Sequence, residues 1–150
     1  MNCFKDKKVL LTGHTGFKGS WLSAWLKYLG AEVCGLSNGV PTQPSHFEVL
    51  DGIVDHDYRL DIRSKEEVVD QFDRIAPDFI FHLAAQPIVF DAFTDPFETF
   101  EVNAMGTASV LEYLKNASNS CVAVFITSDK CYDNVEWTYG YRETDRLGGK

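Results

Sequence analysis

The stretch Lys8-Val9-Leu10-Leu11-Thr12-Gly13-His14-Thr15-Gly16-Phe17-Lys18-Gly19-Ser20-Trp21-Leu22 most narrows what this chain can become. A short apolar run meets three glycines at a spacing of three, and an amphipathic segment follows at once. That is how a strand turns into a helix around a pyrophosphate. Gly13 permits the tight turn, Gly16 lets backbone approach phosphate, and Gly19 lets the new helix lie close to its strand. The helix N-terminus then offers amide donors and partial positive charge to the anion.

The remaining periodicities repeat the strand–helix alternation. Val9 to Thr12 reads as a strand covered on both faces. Trp21, Leu22, Trp25, Leu26 and Leu29 form one stripe at helical spacing, with the tryptophans expected in the core and Gly30 as the stop. Glu32 to Leu36 is a second strand. Ser37 to Ser45 is a loop, and His46 to Leu50 a helical turn. Val54 to Leu60 is a third strand region ending at Asp61-Ile62. Ser64 with Glu67 forms a capping box for a helix lined by Val68, Val69, Phe72 and Ile75 and stopped by Pro77. Asp78 to Leu83 and Cys121 to Thr127 are the fourth and fifth strands. Between them, Asp95-Pro96 opens a long helix to about Lys115, with Phe97, Phe100, Ala104, Ala108, Leu111 and Leu114 expected on its buried face. Gly106 inside that helix costs about 1 kcal/mol relative to alanine, so a close neighbour is expected there. The crossovers are long enough for parallel pairing, which gives an α/β doubly wound sheet.

In 150 residues this makes one domain. A net charge of −8 disfavours nucleic acid or an anionic membrane as partner. No apolar run approaches the ~20 residues of a bilayer span. Met1 to Lys8 has no secretory pattern, so a cytoplasmic location is expected. Cys3, Cys34, Cys121 and Cys131 have neither disulfide nor metal-ligand spacing, and the four histidines are scattered, so no metal site is expected.

Ligands of such sheets lie beyond the carboxyl ends of the strands. Those ends supply the candidates. After the second strand come Ser37 and Asn38, where a carboxylate would hold an NAD ribose; Lys18 could approach a 2′-phosphate, so the residues leave NAD and NADP open. Asp61 could accept from an adenine amino group, with Ile62 over the ring. Leu83-Ala84-Ala85-Gln86 combines small residues with an amide, so its backbone could pass close to a nicotinamide ribose or simply pack tightly, and Gln86 is the polar contact of that group. Thr127-Ser128-Asp129-Lys130 brings a carboxylate and an amine together where apolarity ends. It reads either as an acid–base pair in a cleft or as a solvated turn.

These segments resemble the extended short-chain dehydrogenase/reductase family, and within it the nucleotide-sugar 4,6-dehydratases. The matches are Thr12 to Leu22, Pro41-Thr42-Gln43-Pro44-Ser45, Asp61-Ile62-Arg63, Phe81 to Pro87, Phe100 to Thr107, Thr127 to Tyr132 and Gly140 to Glu143. The resemblance implies a Rossmann-like doubly wound parallel sheet, incomplete at its carboxyl-terminal end. It implies NAD as cofactor, held by Gly13, Thr15, Gly16, Phe17, Lys18, Gly19, Ser37, Asp61, Ile62, Leu83, Ala84, Ala85 and Thr127. It implies CDP-glucose as substrate, contacted by Gln86 and Ser128. Ser128 would bond the sugar near C4, Asp129 would protonate the departing C6 oxygen, and Lys130, if neutral, would be the base at C5. Epimerases of the superfamily usually lack the acidic–basic pair. The family's Tyr-x-x-x-Lys pair does not occur before Lys150. The expectation is therefore a truncated NAD-binding domain at 1–150, without its substrate domain and inactive alone. The full-length form is expected to be a homo-oligomer, a dimer or tetramer, through the helix starting at Pro96. Another dehydratase or epimerase, or a non-catalytic dinucleotide-binding module, are the alternative readings.

Overall fold

Val9 and Leu11 face one side of the sheet and Leu10 the other, and all three are fully buried. A strand buried on both faces needs helices above and below it, and so tolerates an unbroken apolar run. The computed structural model describes residues 3–148; the readings of Met1, Asn2, Gly149 and Lys150 lie outside the described residues. Among the described residues, β1 (Lys8–Thr12), β2 (Glu32–Ser37), β3 (His56–Arg59), β4 (Phe79–His82) and β5 (Val122–Phe125) form one parallel sheet in the order β3-β2-β1-β4-β5. The order reverses between β1 and β4. No helix among the described residues is long and apolar enough to cross a membrane.

The helices are α1 (Phe17–Tyr28), α2 (His46–Val49), α3 (Lys65–Ile75), α4 (Val89–Thr94), α5 (Pro96–Phe100) and α6 (Gly106–Asn116). A π-turn, Glu101–Met105, joins α5 to α6, and a 3-10 turn spans Asp129–Cys131. On one face Leu10, Leu36 and Ile80 pack under Val68, Phe72 and Ile75 of α3 and Val110 and Tyr113 of α6. On the other, Val9, Leu11 and Val33 pack against Leu26 of α1.

Three local expectations are corrected. Trp21 and Trp25 are not core: they are 56% and 64% exposed. Helix α1 turns Gly19, Ser20, Ser23 and Leu26 to the sheet instead. The serines bond on their own helix, Ser20 Oγ donating to Phe17 O and Ser23 Oγ to Gly19 O, and Ser20 Oγ also lies 2.8 Å from His46 Nδ1 of α2, so small side chains admit close packing and the rings stay outside. The long helix also buries a different face. Gly106, Ser109, Val110 and Tyr113 point inward, while Phe97, Phe100, Ala104, Ala108 and Leu111 are exposed. The π-turn interrupts the 3.6-residue period and shifts the face that follows it. Finally, Ser64 is the N-cap of α3 but makes no side-chain cap bond. Its place is taken by Asp61, whose carboxylate accepts from Arg63 N at 2.9 Å and whose carbonyl accepts from Ser64 N at 3.0 Å. At the long helix the expected start is observed: Asp95 caps Glu98 N at 2.9 Å, with Pro96 at the first position. Gly106 meets its neighbour too, since a Cβ there would lie 2.6 Å from Ile62 Cγ2.

Candidate functional site

Strand order reverses between β1 and β4, and the region beyond the carboxyl ends of these two strands is the crevice position at which such sheets bind ligands. Gly13 leaves β1 with φ +73°, and a Cβ there would lie 2.8 Å from Ala84 N. Gly19 sits so close to the turn that a Cβ would meet Gly13 O at 2.1 Å. The loop is held by Gly13 N donating to Leu36 O (2.8 Å) and Gly16 N to Gly13 O (3.1 Å). Helix α1 starts directly after Gly16, so the amides of its first turn have no intrahelical acceptor and face the loop. A backbone cradle of this kind, without side chains in it, fits a pyrophosphate. Phe17 and Lys18 are exposed at its rim. An open apolar groove of about 710 Å³ continues from them and Leu83 down the outer side of α1, past Trp21, Trp25 and Tyr28.

At the end of β2, Thr15 and Ser37 are buried. Thr15 Oγ1 donates to Gly39 O at 2.7 Å and pins the glycine loop to the connection after β2. His14 is fully buried, with Nδ1 3.1 Å from Ser37 Oγ and Nε2 3.1 Å from Asp57 Oδ1, the latter without a well-aligned hydrogen bond. Burial lowers the pKa of His14 against the attraction of Asp57. Beyond β3, the Asp61 carboxylate takes both Arg63 Nε (3.0 Å) and Nη2 (2.7 Å). Those bonds hold its pKa below the ordinary range. Ile62 is 5% exposed and packs against Gly106.

The segment Leu83 to Gln86 is fixed from beneath. Leu83 N and Ala84 N both donate to Thr12 Oγ1, at 3.2 and 3.1 Å. Thr12 Oγ1 lies 2.7 Å from His82 Nδ1, and His82 Nε2 lies 3.0 Å from Thr107 Oγ1. Asn103, in the π-turn, clamps Gln86 by its backbone, accepting from Gln86 N (2.8 Å) and donating to Gln86 O (3.0 Å). The Gln86 side chain folds onto its own loop, Nε2 donating to Ile88 O at 3.1 Å. Beyond β5, Thr127, Ser128, Asp129 and Lys130 are all exposed. Ser128 Oγ accepts from Lys130 N and donates to Asp129 Oδ1, both at 3.2 Å, and Lys130 Nζ stands 3.9 Å from Asp129 Oδ1. The structure thus brings the glycine loop, the Leu83 segment and the Ser-Asp-Lys turn to one edge of the sheet, with Ser37 and Asp61 at its far side.

Residues 9–147 match the model of the NAD dependent epimerase/dehydratase family. The chain belongs to that family. It is 46% identical, over 99% of its length, to a CDP-glucose 4,6-dehydratase of Salmonella typhimurium, of which it covers 42%. It is 30% identical to a CDP-paratose 2-epimerase of Salmonella typhi, over 92% of this chain and 41% of the relative. Among solved structures, the UDP-glucose 4-epimerase of Thermus thermophilus in complex with NAD superposes with a TM-score of 0.80 at 31% identity, over 95% of this chain and 45% of that one. The chain therefore spans less than half the length of these family members.

Within this epimerase/dehydratase fold, Thr12, His82, Asn103 and Thr107 lie in the sequence segments that carry the resemblance, but the sequence alone assigns them no role at the site. The one signal available was a histidine ending an apolar strand, His82, level with the hydroxyl of Thr12 on the next strand. At the edge formed by β2 and β3, Glu32, Cys34 and His56 bring donor atoms within 4.8 Å of one another. Burial pushes the Cys34 thiol up to about 11, so it is a protonated core residue beside an exposed His56–Glu32 pair at 3.4 Å.

Proposed function

We propose that this chain is the cofactor-binding part of a CDP-glucose 4,6-dehydratase, which converts CDP-glucose to CDP-4-keto-6-deoxyglucose and water. The observation carrying this reading is the 46% identity to such an enzyme over 99% of the chain. Bound NAD supplies a reversible hydride acceptor between C4 oxidation and C6 reduction. The glycine loop and the first turn of α1 would hold its pyrophosphate, and Leu83 to Ala85 its nicotinamide side. Ser128 would hydrogen-bond the sugar near C4 and Asp129 would donate a proton to the C6 oxygen as it leaves. Lys130 would take the C5 proton, the acidity of which comes from the neighbouring C4 carbonyl. The Lys130 side chain is 72% exposed and stands 3.9 Å from Asp129 Oδ1, which leaves its amine open to an approaching sugar. No tyrosine in the 150 residues is followed four positions later by lysine. On this reading they bind cofactor but leave CDP-glucose unchanged by themselves.

The same reading makes the long helix a contact between copies. Phe97, Phe100 and Leu111 along it are exposed apolar side chains that a second copy would cover. The deciding experiment extends the 150 residues with the remaining part of the Salmonella relative and supplies NAD and CDP-glucose. Loss of one water from the sugar nucleotide, seen by mass spectrometry, supports the proposal. Conversion to an isomer of unchanged mass would support the epimerase reading instead, and conversion of GDP- or dTDP-glucose in preference would overturn the assignment to CDP-glucose.

A further inference from the structure

We propose that His82 is a positioning residue: as its Nε2–H tautomer it locks the two lips of the cofactor crevice to each other and to the long helix. The proposal rests on reading that crevice as the NAD site. Proton counting fixes the tautomer. Thr107 Oγ1 gives its one hydrogen to Asn103 O at 2.7 Å, so toward His82 it can only accept, and Nε2 must carry the ring hydrogen. Nδ1 is then bare and accepts from Thr12 Oγ1 at 2.7 Å. Thr12 Oγ1 in turn accepts from Leu83 N and Ala84 N, which saturates the hydroxyl. Every donor in the chain Thr12–His82–Thr107–Asn103 has one acceptor and one direction.

The placement is what makes this more than core filling. His82 is 3% exposed, lies level with Thr12 across the switch between β1 and β4, and meets Phe125 of β5 edge-to-face at 5.5 Å. On one side it fixes the residue before Gly13, and with it the start of the glycine loop. On the other it reaches the π-turn, whose Asn103 side chain clamps the backbone of Gln86. A ring that merely filled volume would be served better by an apolar side chain, since a buried polar chain holds only when every member is satisfied. An imidazolium could not occupy this place, because its Nδ1–H would face a hydroxyl with no free acceptor lone pair.

The test compares His82→Phe, which keeps the ring and loses both bonds, with His82→Gln, whose amide can accept from Thr12 and donate to Thr107. Calorimetric titration with NAD is expected to show a dissociation constant raised at least about tenfold in His82→Phe and restored to within about threefold of the parent in His82→Gln. A structural role alone would lower the melting temperature of both and leave NAD affinity within twofold, and that result overturns the proposal. Should His82→Phe fail to fold, Thr107→Val, which removes the far acceptor together with its bond to Asn103 O, is expected to weaken NAD several-fold; unchanged affinity overturns it. Independently, 15N NMR of the ring is expected to show Nε2 protonated and Nδ1 bare, with no change between pH 5.5 and 8. The opposite tautomer refutes the lock. If the parent binds no NAD, the cofactor reading fails, and the NMR result still decides the tautomer.

Discussion

Alanine at Gly16 and at Gly19 should separate cofactor contact from backbone packing. At Gly19 the added Cβ would sit 2.1 Å from Gly13 O, 2.7 Å from His14 Cα and 2.9 Å from Gly13 C. These are backbone atoms, so α1 must move by about 1 Å to restore ordinary contact distances. Overpacking of that severity costs about 3 kcal/mol, or about 6–12 °C in melting temperature for a domain of this size. At Gly16 the backbone is extended (φ −71°, ψ 170°), which alanine adopts freely, and the added Cβ would meet Gly13 O at 3.4 Å. Losing glycine at an N-cap costs about 1 kcal/mol. Gly16→Ala is therefore expected to melt close to the parent and yet bind NAD at least about tenfold more weakly, or about 1.4 kcal/mol, because its methyl would occupy space the pyrophosphate needs. Calorimetry and thermal melts on the two variants give both quantities. A Gly16→Ala protein that binds NAD within twofold of the parent would refute the claim that this loop touches the phosphates.

Acid should destabilise the fold through its buried histidines. Burial pushes His82 down to about 4, below its unfolded value of 6.5, and lowers His14 as well. The unfolded chain then binds more protons, so His82 stabilises fully above pH 6.5, and about 3 kcal/mol of that is lost by pH 4; urea melts across this window that show no decline would contradict it. Lys130→Ala, in the extended enzyme, is expected to abolish exchange of the C5 proton with solvent while NAD affinity stays within twofold; persistent exchange would remove Lys130 as the base. A thiol reagent at pH 8 should label the exposed Cys3 and Cys131 within minutes and leave Cys34 unreacted until the protein is denatured, and early labelling of Cys34 by peptide mapping would contradict its burial.

The parts of the fold that one local rule governs were legible in the sequence. The β1–loop–α1 unit is a contiguous glycine pattern between an apolar run and a helix. Asp95-Pro96 announces a helix start from two neighbouring residues. What depended on a third dimension was not legible. The buried face of α6 is set by a π-turn that no residue period announces. The outward tryptophans of α1 follow from serines whose hydroxyls are hydrogen-bonded and so can be buried. The capping role expected of Ser64 passed to Asp61 because Arg63 folds back onto that carboxylate. At the site, the glycine loop, Ser37, Asp61, Leu83 and Thr127 could be placed because strand ends can be read from where apolarity stops. The lock beneath them joins Thr12, His82 and Thr107, which are separated by 70 and 25 residues, and appears only once β1, β4 and α6 are side by side.

Equilibrium titration of the protein with NAD, and in parallel with NADP, tests the cofactor site most directly. One NAD should bind per chain, more tightly than NADP, and the Gly16→Ala protein should lose most of that affinity. Absence of saturable NAD binding, or tighter binding of NADP, would contradict the assignment of the crevice at the β1–β4 switch as an NAD site.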